Sequence, residues 1–168
     1  MPLQRRGMGP RWRQPQTPVS PMEIPVAALL ERKGSAVHAV ESTITIAEAV
    51  AEMNKNRIGC VVVLDSGRIA GIFTERDVLR RVVGEGLDPK VMRVADVMTP
   101  RVHTIEPDTT VEQTMVLFAE RKCRHLPVVD HGRILGLISI GDISRWMADS
   151  SRAEAEHLKN YIAGGYSV

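Results

Sequence analysis

The stretch Gly71-Ile72-Phe73-Thr74-Glu75-Arg76-Asp77 has an echo sixty-five residues later, Gly136-Leu137-Ile138-Ser139-Ile140-Gly141-Asp142. Each copy reads as a short buried strand ending in a hydroxyl residue, with an aspartate three positions on. Apolar residues at helical spacing follow: Val78, Leu79, Val82 and Val83 after the first, Ile143, Trp146 and Met147 after the second. A hydroxyl and a carboxylate where a strand passes into a helix have two uses. They form a capping box, in which the hydroxyl takes the third N–H of the helix and the acid bonds back. They also suit a ribosyl phosphate, because a helix N-terminus offers unpaired N–H groups and partial positive charge.

The echo extends beyond this stretch. At the same offset, and without a gap, residues 58–78 match residues 123–143 at Val63/Val128, Asp65/Asp130, Gly67/Gly132, Arg68/Arg133, Ile69/Ile134, Gly71/Gly136 and Asp77/Asp142. Seven identities in 21 positions exceed the roughly one or two expected of unrelated segments at ordinary residue frequencies. Around each copy the same order of elements is predicted. A helix with Ile24, Val26, Ala27, Leu29 and Leu30 leads into a strand at 36–40. Thr45 is the N-cap of a helix whose buried face is Ile46, Ala49, Val50 and Met53. Residues 58–64 form a strand buried on both faces, Asp65-Ser66-Gly67 a turn, and residues 68–73 the partner strand. The next helix ends near Gly84 and Gly86, and Asp88-Pro89 breaks the chain. The second round mirrors residues 29–33 in 94–98, then gives a strand at 102–105 and an N-cap at Thr110. A helix with Val111, Met115 and Phe118 in the core follows, then a hairpin of 126–129 and 133–138 around Asp130-His131-Gly132. Each unit is too small to bury its own sheet well. Two units packed sheet against sheet about a pseudo-two-fold axis solve that problem, giving a mixed α/β fold with two tandem βαββα motifs at 22–88 and 89–150.

Composition sets the outer limits. The chain has 168 residues, 43% apolar and only 4% aromatic, so its core is aliphatic. A net charge of +2 with interspersed signs argues against nucleic acid as the main partner. No apolar run approaches the roughly 20 residues that span a bilayer, and no apolar stretch follows Arg5-Arg6 as a secretion signal requires. Cys60 and Cys123 form no paired motif and stand in no Cys/His cluster, which fits a reducing cytoplasm without disulfide or zinc. Residues 1–21 read as a disordered basic tail, with four arginines, five prolines and no acid; Met22 is an alternative start. At the other end, residues 151–168 read as a terminal helix and tail, with Ala155, Leu158 and Ile162 along one stripe. That helix either folds over the core or meets a second copy.

The paired valine-rich strands, the Asp-x-Gly-Arg turns and the Gly-to-Asp endings, occurring twice, resemble the cystathionine-β-synthase-type (CBS) domain family, and the tandem resembles its Bateman module. The stretches Ile58-Gly59-Cys60-Val61-Val62-Val63-Leu64-Asp65 and Arg124-His125-Leu126-Pro127-Val128-Val129-Asp130 are similar to small stand-alone bacterial members. The resemblance implies a sensor that binds AMP, ADP, ATP, NAD or a related adenosine ligand in clefts between motifs. It also implies a disc-like homodimer that signals to a protein target. By motif, Asp77 and Asp142 would hold ribose hydroxyls, since a carboxylate accepts from both hydroxyls of a cis-diol. Thr74 and Ser139 would hold phosphate. Val37-His38 and Val102-His103 would lie against the base, and Arg124-His125 would reach a phosphate from the opposite motif. Gly59-Cys60 replaces that basic pair in the first motif, with only Arg57 near it, and Gly141 replaces Arg76 in the second. The cleft facing Arg124 and His125 is therefore expected to favour more phosphate charge. Removing Asp142 is expected to abolish binding in its cleft and leave the melting temperature almost unchanged.

Other readings of the same residues remain. From one copy alone, capping is the simpler account of Thr74/Asp77 and Ser139/Asp142. His38 and His103 lack the companions a metal needs. Cys123 reads as a packed strand residue rather than a nucleophile, because no base is set beside it in the sequence. Neither an enzyme nor a homodimeric scaffold with empty clefts is eliminated. No nucleophile–base pair appears within the repeats, and catalysis is not expected.

Overall fold

Two hairpins with the same irregularities carry the fold. In the computed structural model, which describes residues 20–164, strands β2 (Cys60–Asp65) and β3 (Arg68–Thr74) pair antiparallel, as do β5 (His125–Asp130) and β6 (Arg133–Ser139). Their two-residue loops, Ser66-Gly67 and His131-Gly132, have positive φ at both positions. That is the mirror-image turn whose twist matches flanking strands. Each pairing slips by one residue at the same place, between Val63 and Leu64 and between Val128 and Val129.

β1 (Ala39–Glu41) adds to β2 in parallel; it starts three residues later and ends one later than the strand expected at 36–40, because Val37 and His38 lie before the ladder. The strand expected at 102–105 is absent. Ile105 alone makes a parallel bridge to Val128. A two-residue strand, β4 (Thr99–Pro100), instead joins β3 of the first half. Pro100 cannot donate to a further ladder, which suits it to this outer position. The two sheets therefore run β1-β2-β3-β4 and β5-β6.

The helices α2 (Ile46–Asn56) and α5 (Val111–Arg121) open on Thr45 and Thr110. Each hydroxyl takes the N–H of the third helical residue, which bonds back to the cap. Both helices bury positions i, i+3 and i+7: Ile46, Ala49 and Met53, then Val111, Thr114 and Phe118. Met115, expected in the core, stands on the flank and is 43% exposed. Thr114 occupies the buried position and satisfies its hydroxyl on Thr110 O at 2.8 Å. After Thr74, one turn of helix, α3 (Glu75–Asp77), continues as π-helix over Val78–Val83 and stops at Gly84. The wider winding buries Val82 but turns Leu79 and Val83 outward, 65% and 67% exposed, against the continuous apolar face predicted. The last helix, α6 (Ile140–Gly164), is unbroken. The two helical patterns read separately around Ile143 and at 153–162 are one element, which crosses the boundary set at residue 150. Ala155 is exposed in it. The reading of residues 1–19, of 165–168 and of the Leu158 and Ile162 side chains lies outside what is described.

The halves exchange their leading helices. α1 (Val26–Lys33) buries Val26, Leu29 and Leu30 among Ile105, Val111, Phe118, Leu126, Val128, Ile138 and Ile143 of the second half. α4 (Val94–Val97) buries Val94 and Val97 among Val40, Ile46, Ala49, Met53, Val61, Val63 and Phe73 of the first. Matching backbone bonds fasten both: Val111 N–H to Ile24 O and Ile46 N–H to Met92 O, each 3.0 Å. These pairs place Val26 opposite Val94 in the pseudo-symmetry. The mirror of the leading segments is therefore offset by 68 residues, not the 65 implied by aligning 29–33 with 94–98. The glycines agree. A Cβ on Gly136 would lie 2.5 Å from Leu30, and one on Gly71 2.5 Å from Met98. Helices thus cover one face of each hairpin. On the other face Cys60, Ile72 and Thr74 look toward His125 and Leu137, leaving two clefts between the sheets.

Candidate functional site

The first cleft, about 370 Å³, joins elements of both halves. From the first come Ile72, Thr74, Arg76 and Asp77, at the β3–α3 junction. From the second come residues 99–103, after α4, and 121–126, between α5 and β5. Of the residues singled out in the sequence, Thr74, Arg76, Asp77, Val102, His103, Arg124 and His125 share this wall. The second cleft, about 210 Å³, is lined by Lys33, Ala36, His38, Ile58, Gly59, Cys60, His125, Leu137, Ser139 and Asp142. It gathers His38, Ser139 and Asp142. His125 borders both cavities. Val37, half-buried, is not among the lining residues of either.

Both aspartates do cap their helices. Asp77 Oδ2 accepts from Thr74 N–H at 2.9 Å and from the Thr74 hydroxyl at 2.8 Å, and Thr74 Oγ1 accepts from Asp77 N–H at 3.4 Å. Asp142 and Ser139 repeat this at 2.8, 2.8 and 3.2 Å. Capping and cavity coexist, because each cap uses one carboxylate oxygen on the backbone side. The other oxygen of Asp77, Oδ1, meets the Thr99 hydroxyl at 3.3 Å and Arg81 at 3.5 Å. Arg81 also donates to the carbonyls of Val97 and Met98, at 2.8 and 2.6 Å, which holds the end of α4 beside the cleft.

Charge separates the two clefts. Arg76, Arg101, Arg121, Lys122 and Arg124 line the first against the single acid Asp77. The second has one lysine, Lys33, and that lysine is bonded to Asp142 at 2.6 Å. Burial works against ionisation of Asp142, but the Lys33 ammonium and the two Ser139 donors outweigh it and hold the carboxyl below its usual range. Burial, with Arg124 next to it and Lys33 nearby, pushes His125 below its ordinary pKa against the pull of Asp142. Burial and the neighbouring Asp77 push the Cys60 thiol up to about 12, and burial raises that of Cys123. Neither cysteine is set up as a thiolate.

Sequence reasoning missed Lys33, Thr99, Arg101, Arg121 and Lys122. The run Arg121-Lys122-Cys123-Arg124-His125 carries a legible signal, four basic side chains in five residues at a helix end. Lys122 ends α5 in the left-handed conformation, as Arg57 ends α2. Lys33 carries none, being 109 residues from its partner. Among the described residues, no group of three or more His, Cys, Asp or Glu gathers as a metal site would, and no helix is long and apolar enough to cross a membrane.

The family model described as CBS domain matches this chain twice, at residues 34–84 and 94–149. A mitochondrial CBS domain-containing protein of Arabidopsis thaliana, CBSX3, is 37% identical over 127 residues, which are 73% of this chain and 62% of that one. The chain thus spans less than two thirds of that relative's length. The crystal structure of the CBS-domain protein ATU1752 from Agrobacterium tumefaciens superposes with a TM-score of 0.69 at 38% identity, covering 73% of this chain and 98% of the other. A hexameric CBS-CP12 protein from bloom-forming cyanobacteria gives 0.67 at 26% identity, over 86% and 85%.

Proposed function

Since this chain belongs to the CBS domain family and carries two copies in tandem, we propose that it is a non-catalytic regulatory module that senses an adenine nucleotide. One observation carries the reading. Thr74 and Asp77 of one half and Arg121, Lys122, Arg124 and His125 of the other face a single cavity. Its volume falls in the ordinary range of ligand pockets, about 300–1,000 Å³. In this reading Asp77 Oδ1 exchanges its long contact with Thr99 for a ribose hydroxyl. The basic residues receive the phosphates, and Val102 and Ile72 give the base an apolar wall. The ligand ties the β3–α3 junction to the α5–β5 turn and so fixes the angle between the halves. A protein partner reads that angle. AMP, ADP, ATP and NAD share the adenosine half, and the excess of cations favours the more highly charged members.

Calorimetric titration of the purified chain with AMP, ADP, ATP and NAD tests this. Affinity should rise with phosphate number and weaken with salt. Asp77→Ala should reduce it roughly ten- to a hundred-fold, the worth of a charge-assisted bond. No heat and no thermal shift with any of the four would refute it.

Self-association is part of the proposal. Leu79, Val83, Val91, Met115, Val116 and Ile140 are large apolar side chains left exposed, and a second copy would bury those that it covers. The cyanobacterial relative is hexameric. A homodimer in the cytoplasm, where both thiols stay reduced, is the expected form, and light scattering measures it directly.

A further inference from the structure

The two clefts differ in what holds their carboxylate. Asp142 Oδ2 receives three donors: Ser139 N–H, the Ser139 hydroxyl and Lys33 Nζ at 2.6 Å. The same ammonium donates to Leu137 O at 2.8 Å. Next to it, Arg32 pairs with Asp149 at 2.8 Å and lies 5.8 Å from the centre of the Trp146 ring. These contacts clamp the C-terminal end of α1 onto α6.

By the 68-residue offset of the leading helices, the counterpart of Lys33 is Arg101. α1 stays helical through Lys33, whereas α4 stops at Val97 and the chain runs extended into β4. That difference carries Arg101 onto the wall of the first cleft and leaves Asp77 without a lysine among the described residues: its capping oxygen Oδ2 has only the two Thr74 donors, and Oδ1 meets the Thr99 hydroxyl. Among the described residues, the cation within 4 Å of Asp77 is Arg81, whose Nη1 lies 3.5 Å from Oδ1 and donates to two carbonyls.

We propose that Lys33 is a specificity-determining residue that closes the second cleft to a ribosyl diol, so that the chain holds one nucleotide, in the first cleft. The inference rests on the nucleotide reading above. A diol binds a carboxylate strongly because the acceptor is charged. Lys33 neutralises that charge and fills the space beside it. The second cleft, about 210 Å³, lies below the usual size of a ligand pocket, and the Lys33–Asp142 pair that lines it also lines a cavity of about 300 Å³ beside Leu29 and Trp146.

The test is calorimetric titration with adenosine, whose diol needs no cation, and with ATP for comparison. The wild-type chain should bind one adenosine. Lys33→Met, which keeps the aliphatic stem, should bind two, its second site at least about tenfold tighter than any residual wild-type second site. Asp142→Asn in that background should return the count to one. Lys33→Arg, which keeps the charge, should stay at one, and circular dichroism confirms that each variant is folded. Two sites in the wild type, or one site in a folded Lys33→Met, overturns this inference and leaves the nucleotide reading standing. Neither adenosine nor ATP bound by any variant overturns both, a result distinct from a count of one throughout.

Discussion

Asp77 and Asp142 each serve two masters, a helix N-terminus and a cavity. The shared geometry was legible in the sequence, because a hydroxyl and a carboxylate three residues apart meet by local chain geometry alone. What they meet across the cleft was not. Lys33 reaches Asp142 only once two helices from opposite ends of the chain pack together. The expectation that losing Asp142 would spare stability therefore needs revision, since the side chain holds both a cap and a lysine. Asp142→Ala should lower the melting temperature, with a cap alone worth about 1 kcal/mol. The acid limb follows from the direction of its shift. A carboxyl lowered by folding contributes stability above its ordinary value, 3.8, and loses it as pH falls through the folded value. His125 acts at milder pH. Its folded pKa is depressed from 6.5, so the unfolded chain binds the extra proton first. Stability should thus fall as pH drops below about 6.5, and His125→Gln should flatten that part of the melting curve. The Cys60 thiol, pushed up to about 12 and buried, should resist alkylation until the chain unfolds.

Elements with strong local signals formed as read: the valine strands, the two hairpin turns and the Thr45 and Thr110 caps. The strand expected at 102–105 failed because its competitor was invisible. The edge of β3 captures Thr99 and Pro100, spending on the first half the extended chain that pattern alone would give to the second. The same close approach yields a prediction that separates two outwardly identical glycines. At Gly71 a Cβ would come within 2.8 Å of the Thr99 carbonyl as well as striking Met98, and backbone cannot swing aside. At Gly136 its nearest neighbours are all atoms of the Leu30 side chain. Gly71→Ala should cost about 1–3 kcal/mol, the usual toll of overpacking, and Gly136→Ala less. Chemical denaturation of the two variants side by side measures the difference.

At the scale of the whole molecule, the repeat is not a pair of independent beads. Each hydrophobic cluster is completed by a helix from the other half, so thermal unfolding should be a single cooperative transition. Leu30→Ala should cost about 2–5 kcal/mol, as for other large cuts in a core. Hydrogen exchange should show its loss of protection first in β5 and β6, far from residue 30 in sequence but directly beneath it. The repetition itself was plain from residues 58–78 and 123–143; the crossing of the leading helices was not, because amphipathic spacing states that a face is buried and never by whom. The crossing also makes the covalent link between the halves mechanically redundant. Were a protease to cut between Gly84 and Asp88, the two pieces would remain clasped like hooked fingers, and would run through a sizing column as one body until denaturant opened the grip.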